Sequence, residues 1–195
     1  MVGTRANVVP MSSEYLLRPV TSDDAEDYVR CHVDCLAETY ADTMPPEFVT
    51  QHREDLAGQV DQTREMWRRN AQQDEPRTTA WIARDSTGEV VGVARVGPGM
   101  QGWEAALGAT PAPVGFQLHH LYTRRRTYGT GLGRRLLELA TGDCDTYLWI
   151  LYDNPRADRF YRRHGFVPDG DTLTCGPSWF HREMYRLVRT APRPR

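Results

Sequence analysis

The stretch that most constrains this chain is Leu121-Tyr122-Thr123, three arginines, and then Gly129-Thr130-Gly131-Leu132-Gly133-Arg134-Arg135-Leu136-Leu137. An extended apolar segment enters a glycine-rich turn that opens a helix, so the free N–H groups of the first helical turn converge on one spot. Such a spot binds anions. Glycine leaves room for a pyrophosphate at the backbone and tolerates φ > 0, where a side chain would clash. The same residues also suit a loop that needs glycine merely to turn. Two other phosphate motifs are absent: G-x-G-x-G is not the dinucleotide spacing G-x-G-x-x-G, and no Lys-Ser/Thr follows as a P-loop requires.

The second informative stretch runs from Asn154 to Phe166, Asn-Pro-Arg-Ala-Asp-Arg-Phe-Tyr-Arg-Arg-His-Gly-Phe. Asn at the N-cap and Pro at the first helical position start a helix, and Gly165 ends it. Asn154 and Tyr161 fall two turns apart on one face. A polar pair so placed can line a cleft, and a cap plus a core tyrosine accounts for the same pattern.

Around these units the periodicity alternates. Tyr15, Leu16 and Leu17, ending at Pro19, predict a first strand, and Thr21 or Ser22 before Asp23 and Asp24 starts a helix with acids in its first turn. Ala25, Tyr28, Val29, His32, Val33, Leu36 and Tyr40 then repeat at three and four. A second helix follows Pro45-Pro46, with Val49, Leu56, Val60, Thr63 and Trp67 on one stripe, and frays near residues 74–76. Thr79–Ala83 and Val90–Ala94 flank Asp85-Ser86-Thr87-Gly88, a hairpin signature. Residues 97–113 hold four glycines and three prolines and predict a long flexible loop. Strands follow at 116–122 and 146–152, each trailed by a helix (131–140 and 154–164), and two last strands, 166–173 and 179–188, surround a turn at Gly176-Pro177. Residues 1–13 are polar and aperiodic and predict a loose arm. That leaves 14–190 as a single domain, which a chain of 195 residues suits.

Composition removes other classes. A chain that is 39% hydrophobic and 26% charged is that of a globular protein. No apolar run approaches the ~18 residues of a membrane helix, and residues 1–13 lack the apolar core of a signal peptide. The expected location is the cytoplasm, with no membrane partner. A net charge of −2 supplies no field for nucleic acid. Every basic residue is arginine, which excludes Schiff-base chemistry and lysine-dependent phosphate loops. Cys31, Cys35, Cys144 and Cys175 form no CxxC pair, so buried reduced thiols are expected rather than a metal site.

Together the two units resemble the GNAT acetyltransferase superfamily over roughly residues 14–188. Leu121-Tyr122-Thr123 with the Gly129–Arg134 turn is similar to that family's pyrophosphate-binding motif, and Asn154-Pro155-Arg156-Ala157…Phe160-Tyr161…Gly165-Phe166 to its second conserved block. The order of strand, two helices, three strands, helix, strand, helix and two strands fits as well. The resemblance implies an α/β fold: a mostly antiparallel mixed sheet of about seven strands, splayed between strands four and five, with helices on both faces and acetyl-CoA as co-substrate in the splay. It implies that the backbone of Leu121, Tyr122 and Thr123 bonds the pantetheine arm and the thioester oxygen. Amides from Tyr128 through Gly129, Thr130, Gly131, Leu132 and Gly133 to Arg134 would hold the pyrophosphate, aided by the helix dipole. Asn154 would contact pantetheine, and Tyr161 would sit near the sulfur as the acid that protonates the leaving thiolate.

Two departures from the family pattern matter. Tyr128 stands where members usually carry Gln or Arg, so Arg126 or Arg134 is expected to assist with phosphate. The position of the glutamate base in histone-type members is Gln117, which cannot accept a proton. His119, two residues on along that strand face, is the candidate base, because imidazole titrates near the working pH; a histidine packed between strand and helix is the other reading. His120 is expected to face the opposite way.

The expected reaction is direct attack of a neutral amine on the thioester, with no metal. The expected partner is the primary amine of a small molecule or peptide, and a homodimer stays open. The acceptor would be bounded by the first two helices, the 97–113 loop and the final hairpin, which supply Glu38, Tyr40, Asp42, Trp103, Glu104, Trp179 and His181. Acids and aromatics suit a cationic amine of modest size. The alternative is a catalytically silent acetyl-CoA-binding regulatory module, which would keep the Gly129–Gly133 turn and lack a working base and acid.

Overall fold

The computed structural model describes residues 14–75 and 77–190; the arm expected over residues 1–13 lies outside the described residues. Seven strands form one mixed sheet: β1 (Tyr15–Pro19), β2 (Thr79–Asp85), β3 (Val90–Pro98), β4 (Phe116–Thr123), β5 (Thr146–Leu151), β6 (Val167–Thr174) and β7 (Glu183–Arg189). Their order is β1-β2-β3-β4-β5-β7-β6, antiparallel except for β4 and β5. The parallel pair meets at Phe116↔Thr146 and Gln117↔Tyr147, and the strands part beyond those residues. That parting is the splay expected from the resemblance.

Helices cover both faces. On one, α5 (Leu132–Thr141) and α6 (Pro155–Arg163) lie over the sheet. Leu132, Leu136, Leu137 and Ala140 of α5, one helical stripe, are buried with Val91, Ala94, Val96, Leu118, Leu148 and Ile150. The helix seats this closely because residue 92 is glycine: a Cβ there would stand 2.8 Å from Leu136 Cδ1. On the other face, α1 (Ala25–Tyr40) and α3 (Leu56–Ala71) bury Tyr28, Val29, Val33, Val60 and Trp67 against Ile82 and Val93.

Three segments depart from the periodicity. The helix expected after Pro45 is two helices, α2 (Pro46–Glu54) and α3, broken at Asp55. Phe48 of α2 packs beside Tyr40 and Trp179, whereas Val60 and Trp67 of α3 pack beneath the sheet with Tyr28. The break at Asp55 lets the two segments serve separate clusters. The last strand starts at Glu183 rather than 179, because Pro177–Trp179 form a 3₁₀ turn.

The 97–113 segment, expected as a flexible loop, holds a short helix, α4 (Gly102–Ala106), pinned by a carboxylate. Glu104 is fully buried and accepts bonds from Tyr147 Oη (2.9 Å), Trp149 Nε1 (2.7 Å) and the Gln101 amide (2.6 Å). A buried acceptor with three donors stabilises strongly because each donor would otherwise be desolvated and unpaired. Glu104→Ala should therefore cost about 3 kcal/mol of unfolding free energy, read as a lower urea midpoint; an unchanged midpoint would show that α4 is not anchored this way.

Candidate functional site

Where β4 and β5 part, a cleft of about 530 Å³ opens between the two faces. The glycine turn closes one end. Gly129 and Gly131 have φ of 82° and 84°, and among the described residues, chain neighbours apart, a Cβ on either would meet no atom within 4 Å, so open space lies over the backbone. The amides of Tyr128 and Thr130 are used inside the turn, bonding Arg125 O (3.1 Å) and Thr127 O (3.3 Å). The first bond into α5 runs from Arg135 N to Gly131 O. Gly129, Gly131, Gly133 and Arg134 thus present unspent N–H groups among the described residues, and Leu132 N makes one long contact, 3.4 Å, to Thr130 Oγ1. Open space above these amides at a helix N-terminus fits a pyrophosphate.

Tyr128 contributes a ring rather than a polar group. The Arg156 guanidinium carbon stands 3.1 Å from its centroid, so a cation from the start of α6 is held beside the turn. Sequence reasoning missed Arg156. Of the two arginines expected to assist, Arg126 and Arg134, the Arg126 guanidinium is tied to Asp85 (2.7 Å) and Glu89 (2.9 Å) at the β2–β3 turn. Arg124 bonds Asp34 and Glu38, and Arg125 bonds Glu38, so the arginine run clamps β4 to α1 and to that turn. Arg134 is exposed, with Glu138 at 3.5 Å, and remains at the cradle.

Deeper in the cleft, the edge of β4 facing β5 is unpaired beyond Gln117. Arg124 N bonds Val91 O across to β3. By the alternation of an antiparallel ladder, Tyr122 also turns its amide to β3, while Leu121 and Thr123 turn theirs to the opening. Opposite stands α6, whose N-cap Asn154 accepts from Ala157 N (3.0 Å) and neighbours the Tyr40 hydroxyl. Tyr161, two turns along, is buried, its ring set edge-on to Phe160 and Phe166. Burial raises its pKa well above the usual phenol value, and Tyr40 adds to the rise. Among the described residues no hydrogen bond claims its hydroxyl, and Tyr161 lines the cleft.

The strand carries its histidines differently from a plain alternation. Register slips between Arg95 and Val96: His120 opposes Arg95 and Leu118 opposes Val96, so His119 is the extra residue of a bulge. A Cβ on Gly97 would lie 3.1 Å from His119 Nε2. Gly97 shares a strand face with Arg95, whose guanidinium touches Met66 of α3. His119 and His120 therefore both point to the α1–α3 side, and the expectation that they face opposite ways does not hold. His120 stacks on His32 (4.1 Å) and contacts Tyr28, away from the cleft, which His119 lines. Burial, with Arg95 nearby, pushes the His119 pKa down to about 3. The imidazole is thus neutral at working pH, contrary to the expectation that it titrates there.

The acceptor side also differs from expectation. Tyr40, Trp103 and Trp179 line the cleft, but Glu38, Asp42, Glu104 and His181 do not. Glu38 is spent on Arg124 and Arg125, and Glu104 on Tyr147 and Trp149.

Comparison with known proteins places this geometry. None of the curated proteins matches the sequence. The fold is similar to that of the PaiA N-acetyltransferase from Thermoplasma acidophilum in complex with coenzyme A (TM-score 0.63, 16% identity, 93% of this chain and 100% of that one). It is also similar to a GNAT-family acetyltransferase from Streptococcus pneumoniae (TM-score 0.59, 17% identity, 92% and 100%) and to a spermidine N-acetyltransferase chimera from Vibrio cholerae and hSSAT (TM-score 0.58, 14% identity, 91% and 96%). At such identities these likenesses speak for the fold. Residues 76–168, which hold the glycine turn and the Asn154 helix, match the family model of the acetyltransferase (GNAT) domain, so the chain carries that domain and is a GNAT-type N-acetyltransferase, built for acyl transfer from coenzyme A.

Proposed function

We propose that the chain moves the acetyl group of acetyl-CoA to the primary amine of a small molecule or peptide by direct attack within a ternary complex. The observation that carries this is the parting of β4 and β5, which sets the amide cradle at one end of a cleft and Tyr161 inside it. Gly129, Gly131, Leu132, Gly133 and Arg134 bind the pyrophosphate through their amides, Thr130 shapes the turn, and Arg156 on Tyr128 adds positive charge. The β4 edge from Leu121 through Tyr122 to Thr123, with Asn154 opposite, aligns the pantetheine arm. Acetyl-CoA supplies the activated acyl group.

The remaining chemistry falls to this chain's residues. The Leu121 and Thr123 amides point where negative charge develops on the carbonyl oxygen. Tyr161, protonated throughout the working range, gives its proton to the thiolate sulfur as the C–S bond breaks. His119 accepts a hydrogen bond from the amine and passes the proton to water. Initial velocities at varied acetyl-CoA and amine should give intersecting reciprocal lines; parallel lines with acetyl trapped on the protein would replace the ternary complex by a covalent relay.

The depressed His119 pKa sets a pH prediction. Above pH ~3 the imidazole is neutral, so it contributes no limb near neutrality, and the fall in rate at low pH comes from protonation of the acceptor amine. His119→Ala should lower kcat/KM by about 10²-fold and leave the acidic limb where it was. Loss of a limb near pH 6 to 7 in the variant would instead give the imidazole a titrating role.

A further inference from the structure

We infer that the acceptor is a monoamine with an aromatic or comparably apolar body, and that polyamines are poor acceptors; this rests on the acetyltransferase reading above. The α1 side of the cleft is walled by Trp103 and Leu107 at α4, Trp149 of β5, Tyr40 of α1 and Trp179 of the turn before β7. Trp103 meets Trp149 at 65° with centroids 6.4 Å apart, and Tyr40 meets Trp179 at 89° and 5.5 Å. Two steeply angled aromatic pairs offer both faces and edges to a flat apolar group.

Charge argues the same way. Among the described residues no Asp or Glu lines the cleft, and the charged side chain that does, Arg156, is a cation. A second ammonium on the acceptor would be desolvated here without a counter-charge. At the apex stands Gln117, the last residue of β4 paired to β5, 4% exposed and in the cleft wall. Its Oε1 is buried without a partner among the described residues. A turn of that amide toward the cleft would take one N–H of the reacting amine, whose other N–H bonds His119, and neither side chain supplies a carboxylate for a second ammonium. The site thus combines an apolar wall with one end, at Gln117 and His119, that accepts the N–H groups of a single amine.

The test is steady-state CoA release with 2-phenylethylamine and spermidine at saturating acetyl-CoA, alongside calorimetry of acetyl-CoA and of 2-phenylethylamine added to the CoA-saturated protein. The expected result is a kcat/KM for 2-phenylethylamine at least ~10-fold above that for spermidine. Trp103 and Leu107 are 42% and 37% exposed, so changing them spares the core. Trp103→Ala should raise KM for 2-phenylethylamine about 10-fold with acetyl-CoA affinity unchanged. Leu107→Glu, which adds the missing carboxylate, should move preference toward spermidine by a similar factor. Equal or better use of spermidine by the parent protein overturns the inference while sparing the transferase reading. So does failure of 2-phenylethylamine both to bind and to react when another amine is acetylated. Absence of acetyl-CoA binding takes both down.

Discussion

Gly131→Val should weaken acetyl-CoA binding by at least ~100-fold, as a bulky side chain replaces the open space above the helix N-terminus that we propose receives the pyrophosphate. Among the described residues, its own chain neighbours apart, no atom lies within 4 Å of a Cβ at this position, so the loss is not an internal clash. It has two other sources: the side chain occupies the cradle, and a β-branched residue at φ 84° strains the turn by roughly 1–3 kcal/mol. The strain alone should lower Tm by a few degrees and leave a folded protein. Gly88→Val separates the two effects. Gly88, in the β2–β3 turn, has φ 87° and equally open space, so its variant should carry the strain and bind acetyl-CoA normally. Calorimetric titration of both variants is the measurement; parental affinity in Gly131→Val would remove the turn from the site.

Tyr161→Phe should lower kcat by roughly 10²- to 10⁴-fold, the range for a general acid, with acetyl-CoA affinity nearly intact. The ring keeps its packing against Phe160 and Phe166, so the change deletes a proton donor and little else. Because burial holds the phenol pKa above its usual value, the group stays protonated through neutral pH, and the deficit should be constant across the profile. A variant that keeps full kcat on a good amine would assign the thiolate's proton to water. Neither variant should shift the acidic limb, so the two are distinguished by size and parameter: about 10²-fold in kcat/KM for His119→Ala, and up to ~10⁴-fold in kcat here.

What could be read in advance was local. The Gly129–Gly133 turn, the Asn154-Pro155 helix start and the Gly165 stop depend on φ, caps and missing N–H groups within a few residues, and the structure bears them out as turn, N-cap and helix end. The hairpin around Gly88 and the apolar stripe of α1 were legible for the same reason. Two local readings failed through a one-residue event each. The break at Asp55 divides one apolar stripe into two helices, and the bulge at His119 turns His120 to the side that strict alternation would have denied it. A bulge adds one residue to one strand of a pair, so it is visible only once β3 and β4 are laid side by side.

Charges were the least legible part. Glu38 and Glu104 carry the residue type expected of a cation-binding wall, yet one is consumed by arginines of another element and the other is buried under α4. Arg156, one of several arginines in the helix after Asn154 and given no role of its own by the sequence, ends on the ring of Tyr128. The sequence by itself determined the glycine turn, the capped helix beside it and hence the family resemblance, since each is written in neighbouring residues and enforced by backbone geometry. The tertiary structure alone decided which arginine stands beside the glycine turn, that His120 turns to the same side as His119, in what charge state His119 is held, and that the cleft wall is aromatic rather than acidic. Those outcomes depend on pairings between segments far apart in the chain and on desolvation, and neither is encoded in any short run of residues.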